Sequence, residues 1–298
     1  MEISLDIIHE DEQQIVKFIE LSKLWVDEID NNNIDREIQD IRRRMNYVDH
    51  CIIKLNESVV GVARITYSSI FSFGVTPDLD DFAIKKIFNY LLNDIFYLKP
   101  PEVRATLSTR FRKIFEEVGF KYQFGREKMI LHLADPLGLK HISEIETEKL
   151  DWKAFDAITD MFVDAYRNTV DETIGMFNED IAFSAIQQVK EGEYGKIIRD
   201  LSIFIRSEGK LIGGVITSEN ENQLFIVIIG VKREYQGRGI GRILLTRVIE
   251  EGKKMGYSNL SLWVTTENIQ ARSLYQSMNF KVVSRVISGK LRFTDYKP

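Results

Sequence analysis

Three glycines at alternate positions, Gly237, Gly239 and Gly241, stand in the string VKREYQGRGIGR, residues 231–242, with Gln236, Arg238, Ile240 and Arg242 between and beside them. Residues 224–229 before the string form an apolar run of strand character. Ile240 at its end and Ile243, Leu244 and Val248 after it recur at helical spacing, so the glycines form a strand-to-helix turn. Glycine reaches backbone dihedrals closed to other residues and lets a ligand approach the chain closely. Amide hydrogens at a helix start have no partner within the helix. With the helix dipole they attract anions, and Arg238 and Arg242 add positive charge. The chemistry that fits is a pyrophosphate cradle.

Spacing decides which pyrophosphate. The triphosphatase loop needs GxxxxGK followed by Ser or Thr, and the sequence has no such string. A dinucleotide fingerprint needs glycine at the sixth position of GxGxxG, where Arg242 or Leu244 stands instead. A second motif follows at residues 261–280, SLWVTTENIQARSLYQSMNF. Here Leu260, Leu262 and Val264 alternate as a strand, Asn268 is placed to cap a helix, and Ala271, Leu274, Tyr275 and Met278 form its apolar stripe.

QGRGIG closely resembles the Gln/Arg-x-x-Gly-x-Gly/Ala loop of the GNAT acyltransferase superfamily, and N-x-x-A-x-x-L-Y-x-x-x-x-F is similar to that family's segment after its fifth strand. The resemblance rests on residues 231–280. It implies that Gln236, Gly237, Arg238, Gly239, Ile240, Gly241 and Arg242 hold the pyrophosphate of acetyl-CoA, and that Asn268 and Ala271 touch it. It also implies that Ile229 and Val231 turn their peptide groups toward the pantetheine and acyl oxygen. Tyr275 then stands near the departing sulfur as a proton donor. The same tyrosine fits the apolar stripe and can be read as core.

The balance of the 298 residues is mildly acidic, at net charge −5, which speaks against nucleic acid as the main partner. No run approaches the roughly 18 apolar residues of a membrane helix. The acidic start lacks the basic head and apolar run of a signal peptide. A lone cysteine, Cys51, permits no internal disulfide, and with these features favours the cytoplasm. Cys51 and four scattered histidines give no metal-ligand spacing, so no metal is expected. Oligomeric state is not legible.

The elements that position the site occur twice. Residues 1–50 read as a strand and two helices, with Ile15, Phe18 and Ile19 on one stripe and Ile34, Ile38, Ile41 and Met45 on the other. A turn is signalled at residues 30–33 and a hairpin turning at Asn56 follows. From there Gly61 in SVVGVARI corresponds to Gly213 in KLIGGVIT, Val75 to Val231 and Phe120 to Phe280, at offsets that drift by only a few residues. The fold expected is α/β (α+β): two tandem GNAT-like domains, residues 1–135 and 139–298, each a mixed, mostly antiparallel sheet flanked by helices. The joint lies near residues 135–138, and a strand is expected at residues 142–145.

The copies differ where chemistry is expected. Asp80, Asp81, Phe82 and Ala83 stand opposite Gln236, Gly237, Arg238 and Gly239, Ser108 opposite Asn268, and Phe115 opposite Tyr275. The first copy is therefore read as degenerate, with no cofactor site, supporting the second copy or lining its cleft. In the second copy, a helix over residues 151–166 and an acidic, aromatic segment with Asp171, Glu172, Phe177, Glu179 and Asp180 suit a cationic amine. A general base is unassigned, because residues 224–229 are apolar; Glu219 and Glu221 just precede them. The expected function is acetyl transfer from acetyl-CoA to a primary amine of a small molecule or peptide, by direct attack in a ternary complex. The alternative is a non-catalytic acyl-CoA-binding or regulatory module.

Overall fold

The alternating and helical apolar patterns fold as two α/β units in this computed structural model, which describes residues 2–25, 34–134, 146–220 and 223–296. One unit comprises Met1–Gly125 with Ser284–Pro298, the other Arg126–Val283. The expected turn at residues 30–33, the joint at 135–138 and the strand at 142–145 lie outside the described residues.

The first half of the chain runs β1 (Ile3–Ile7), α1 (Glu12–Trp25), α2 (Ile34–Arg44), β2 (Asp49–Leu55), β3 (Ser58–Thr66), β4 (Ser69–Val75), α3 (Asp81–Tyr97), β5 (Glu102–Ser108) and α4 (Arg112–Glu117). Asn56 and Glu57 turn the β2/β3 hairpin in left-handed conformations, φ 46° and 68°. The apolar stripe of α3, with Ile87, Phe88, Leu91 and Leu92, fills the core of one sheet face. Ile15, Phe18, Ile19, Ile38 and Ile41 from α1 and α2 fill a second core. Ile34 departs from the expected stripe. It is the first residue of α2 and lies 39% exposed, before the helix has turned its face to the sheet.

After β6 (Lys121–His132) come β7 (Thr147–Lys149), α5 (Phe155–Tyr166), α6 (Val170–Thr173), α7 (Glu179–Lys190), β8 (Lys196–Ile197), β9 (Ile203–Ser207) and β10 (Lys210–Asn220). The chain ends with β11 (Gln223–Val231), α8 (Ile240–Lys254), β12 (Asn259–Thr265), α9 (Ile269–Ser277) and β13 (Lys281–Arg292). Ile203, Ile205 and Val215 point to the core under α8. Phe204 and Ile216, one residue along, point to the core under α5 and α7, which is the alternation of a sheet covered on both sides.

The two copies repeat in register. Gly61 opposes Val75 on β4, and Gly213 opposes Val231 on β11. In each unit the two strands flanking the long helix are parallel, and all other described pairings are antiparallel. The compact units do not follow the continuous segments 1–135 and 139–298. Arg126–His132 of β6 pairs with β12 in the second unit, and Val286–Arg292 of β13 pairs with β5 in the first. Period-two patterning announces a strand but not the sheet it joins, so this was not legible from spacing.

Candidate active site

Strands β11 and β12 pair only as far as Ile226 opposite Leu262, then part. A bulge accompanies the parting: Ile228 opposes Ile216 and Ile226 opposes Thr217, leaving Val227 between. A cleft of about 790 Å³ lies in this unit, walled by Val227, Ile229 and Val231 on one strand and Trp263 and Thr265 on the other. Lys232 N–H bonds to Ile212 O at 2.8 Å, which makes Val231 and Gly213 a pair without direct backbone bonds. The carbonyls of Ile229 and Val231 are instead taken by Tyr166 Oη at 3.2 Å and Gln236 Nε2 at 3.0 Å. Both residues thus turn their peptide edges away from β10.

The loop after β11 leaves its backbone free. Gly237 and Gly239 have φ 74° and 81°, and Gly239 is the N-cap of α8 with no side chain to satisfy the helix start. The first helical bond is Ile243 N–H to Gly239 O, at 3.1 Å. The amides of residues 237–242 make no hydrogen bond with the described residues. Gly237, Gly239, Ile240, Gly241 and Arg242 line the cleft, while Gln236 also ties the loop to α5 through Ala165 O at 3.3 Å. Arg242 Nη2 donates to Ser277 Oγ at 2.6 Å. Arg238 donates to Glu234 O at 2.9 Å, sits over the Tyr235 ring at 5.1 Å and does not wall the cleft. This free amide row fits the pyrophosphate of an acyl-CoA. The matching helix of the first unit is closed by its own side chain: Asp80 Oδ1 accepts from Ala83 N–H at 2.7 Å and caps α3.

Tyr275 is 6% exposed and walls the cleft with Ala271 and Leu274, and its hydroxyl bonds to none of the described residues. Burial, and then the Asp171 carboxylate, push its pKa well above the ordinary phenol value. Tyr166 is shifted the same way by burial, then by Tyr275 and Asp171. Asn268 caps α9 through Ala271 N–H at 3.0 Å, and its Nδ2 donates to Asp171 Oδ2 at 3.0 Å. Thr265 Oγ1 donates to the other Asp171 oxygen. Ser108, the counterpart of Asn268, makes no side-chain cap. Phe115, the counterpart of Tyr275, is buried and stacked on Phe120 at 4.7 Å.

Of the acidic segment, only Asp171 brings a carboxylate to the cleft, with Phe177 beside it. Glu172 turns back on the Asn168 amide, Glu179 lies 3.9 Å from Arg167, and Asp180 does not line the cleft. Glu219 hydrogen-bonds Tyr257 and is absent from the cleft wall, and Glu221 lies outside the described residues. Among the described residues no group of His, Cys, Asp or Glu is arranged to hold a metal, and no helix is long and apolar enough to cross a membrane.

Residues 155–280 match the acetyltransferase (GNAT) family. The chain carries a GNAT-family domain. It is 34% identical over 82 residues to the [ribosomal protein bS18]-alanine N-acetyltransferase of Escherichia coli (strain K12), covering 28% of this chain and 55% of that protein. The chain thus spans about half the length of that relative. Among solved structures, a GCN5-related N-acetyltransferase from Sphaerobacter thermophilus superposes with TM-score 0.70 at 16% identity, covering 98% of this chain and 96% of that one. A tandem GNAT protein from the clavulanic acid biosynthesis pathway superposes with TM-score 0.64 at 10% identity, covering 98% and 99%. The fold is that of tandem GNAT domains.

Arg126, Tyr166 and Trp263 are among the cleft residues to which the sequence motifs assigned no role. Tyr166 closes the helix expected over residues 151–166, where one apolar stripe gave no reason to single it out. Trp263 alternates with the core residues Leu262 and Val264, so its outward face was readable. Arg126 belongs by sequence to the other copy, which hid it.

Proposed function

We propose that this protein is an acyl-CoA-dependent N-acetyltransferase whose second unit moves an acetyl group from acetyl-CoA to a primary amine of a small molecule or peptide, in a ternary complex. The observation that carries the reading is the row of unbonded amides at residues 237–242, which meets a cleft containing a buried phenol and a carboxylate. Gln236, Gly237, Arg238, Gly239, Ile240, Gly241 and Arg242 form the donor cradle and its supports, with Ala271 beside it. Asn268 contributes to that site indirectly, since its side chain is committed to the α9 cap and to Asp171.

Acetyl-CoA supplies an activated acyl carbon. As the acceptor nitrogen bonds to that carbon and the carbon–sulfur bond breaks, Tyr275 gives its proton to sulfur. Its raised pKa keeps it protonated until that moment. Peptide N–H groups at Ile229 and Val231 polarise the acyl oxygen. Asp171 supports the ammonium of the incoming amine and receives its proton, filling the role that no glutamate on β11 fills.

Release of CoA from acetyl-CoA in the presence of an amine panel tests the reading, with calorimetric binding of acetyl-CoA measured alongside. Binding without CoA release for any amine would favour a non-catalytic acyl-CoA-binding module. The absence of binding would remove the reading altogether.

A further inference from the structure

The cleft contains a cation that no group among the described residues neutralises by contact. Arg126 lies opposite Thr265 in the β6/β12 ladder, so its side chain enters the cleft beside the residue that holds Asp171. Its Nε is buried and has no hydrogen-bond partner, and the side chain makes no hydrogen bond or ion pair with the described residues. Its guanidinium carbon rests 5.7 Å from the centre of the Trp263 ring, which fixes the plane without satisfying the donors. Asp171 is near enough to act on Arg126 electrostatically, yet its two oxygens are bonded to Thr265 and Asn268.

Such an arrangement is costly unless something completes it. A guanidinium presents up to five donors in a planar fork, and an anion with two coplanar oxygens reaching it through the cleft satisfies it best. Arg126 is half-buried with its Nε enclosed, and that burial drives its pKa below the ordinary value although Asp171 acts against the shift. Phosphates also match the fork. In this cleft, however, the Asp171 carboxylate acts on the same space as Arg126 and disfavours a doubly charged guest. A carboxylate carries a single charge.

We infer that the acceptor is an amine bearing its own carboxylate, an α-amino acid or short peptide acid, with Arg126 holding the carboxylate and Asp171 facing the ammonium. The inference rests on the acetyl-transfer reading and narrows its substrate class. Arg126 is a specificity residue here, since it touches the acceptor at a distance from the bond being made.

The test compares L-amino acids and dipeptides with their C-terminal amides in acetyl-CoA-dependent CoA release, for the full chain and for Arg126→Gln and Arg126→Lys. Binding of the N-acetylated acids and amides to the CoA-loaded protein is measured by thermal shift. Free acids should be favoured over amides by on the order of 10²-fold in kcat/KM. Arg126→Gln should erase that preference through KM, Arg126→Lys should restore part of it, and calorimetric affinity for acetyl-CoA should be unchanged in both. Equal use of acids and amides by the wild-type chain overturns the inference and leaves acetyl transfer standing. A preference that survives in Arg126→Gln overturns it too, as does a panel in which acetyl-CoA binds but no acid is acetylated or its product bound. If the variants do not fold, the acid-against-amide comparison in the wild-type chain decides alone. Failure of acetyl-CoA to bind the wild-type chain removes the underlying reading instead.

Discussion

Asn268 caps α9 with its oxygen and holds Asp171 with its nitrogen, both bonds measuring 3.0 Å. A position of the second motif thereby also fixes a carboxylate in the cleft. The two roles separate in two variants. Asn268→Ala should lose the cap and destabilise the domain by about 1 kcal/mol in thermal unfolding. Asn268→Asp keeps a good cap but sets like charges together, so stability should change less while KM for the acceptor rises. KM values equal to the parent's in both variants would show that the contact with Asp171 does not matter to acceptor binding.

Tyr275→Phe should fold as the parent does, because Phe115 occupies the same place in the first unit and is fully packed there. Turnover should fall by about 10² to 10⁴, the usual cost of losing a general acid. The raised pKa places Tyr275 in its neutral form across ordinary conditions, so no alkaline limb near pH 10 should appear in the parent. Undiminished turnover in the variant would reduce Tyr275 to packing.

Gly239→Asp should abolish acetyl-CoA binding in calorimetry, since it moves into α8 the device by which Asp80 closes α3. Gly239→Ala isolates the backbone component. An added Cβ meets nothing within 4 Å, but φ of 81° strains any side chain, so weaker binding and a loss of about 1 kcal/mol are expected. The parent should bind one acetyl-CoA per chain, and two equal sites would contradict the contrast between the helix starts.

His50 should make the first unit acid-sensitive. It is buried beside Phe18, with Nδ1 3.1 Å from Val48 O, and burial together with Arg64 lowers its pKa from 6.5 to about 4. Between those values the unfolded chain binds the proton and the folded chain does not, so stability rises with pH across that window. The loss begins below about pH 6.5, is complete below about pH 4, and amounts to on the order of 3 kcal/mol. His50→Phe should flatten the dependence in equilibrium unfolding. An unchanged slope would place the titration elsewhere.

What the sequence determined by itself was local. Alternate glycines fixed the loop, apolar spacing fixed α8, α9 and their stripes, Asn268 fixed a cap, and the matched strings fixed the repeat that appears as Gly61 opposite Val75 and Gly213 opposite Val231. Each depends on residues a few positions apart, where helix and strand periods act directly. Tertiary structure alone decided that β6 joins β12, and so that Arg126 stands in the cleft and Glu127 takes a two-pronged bond from Arg272 at 2.8 and 3.1 Å. It also decided that Asp171 faces the cleft while Glu172 and Glu179 do not. Strand partners and the fate of a single carboxylate depend on contacts between residues far apart in the chain, from 94 positions for Asp171 and Thr265 to 145 for Glu127 and Arg272. No spacing rule records them, because the energy that selects them is gained only once both partners are buried together.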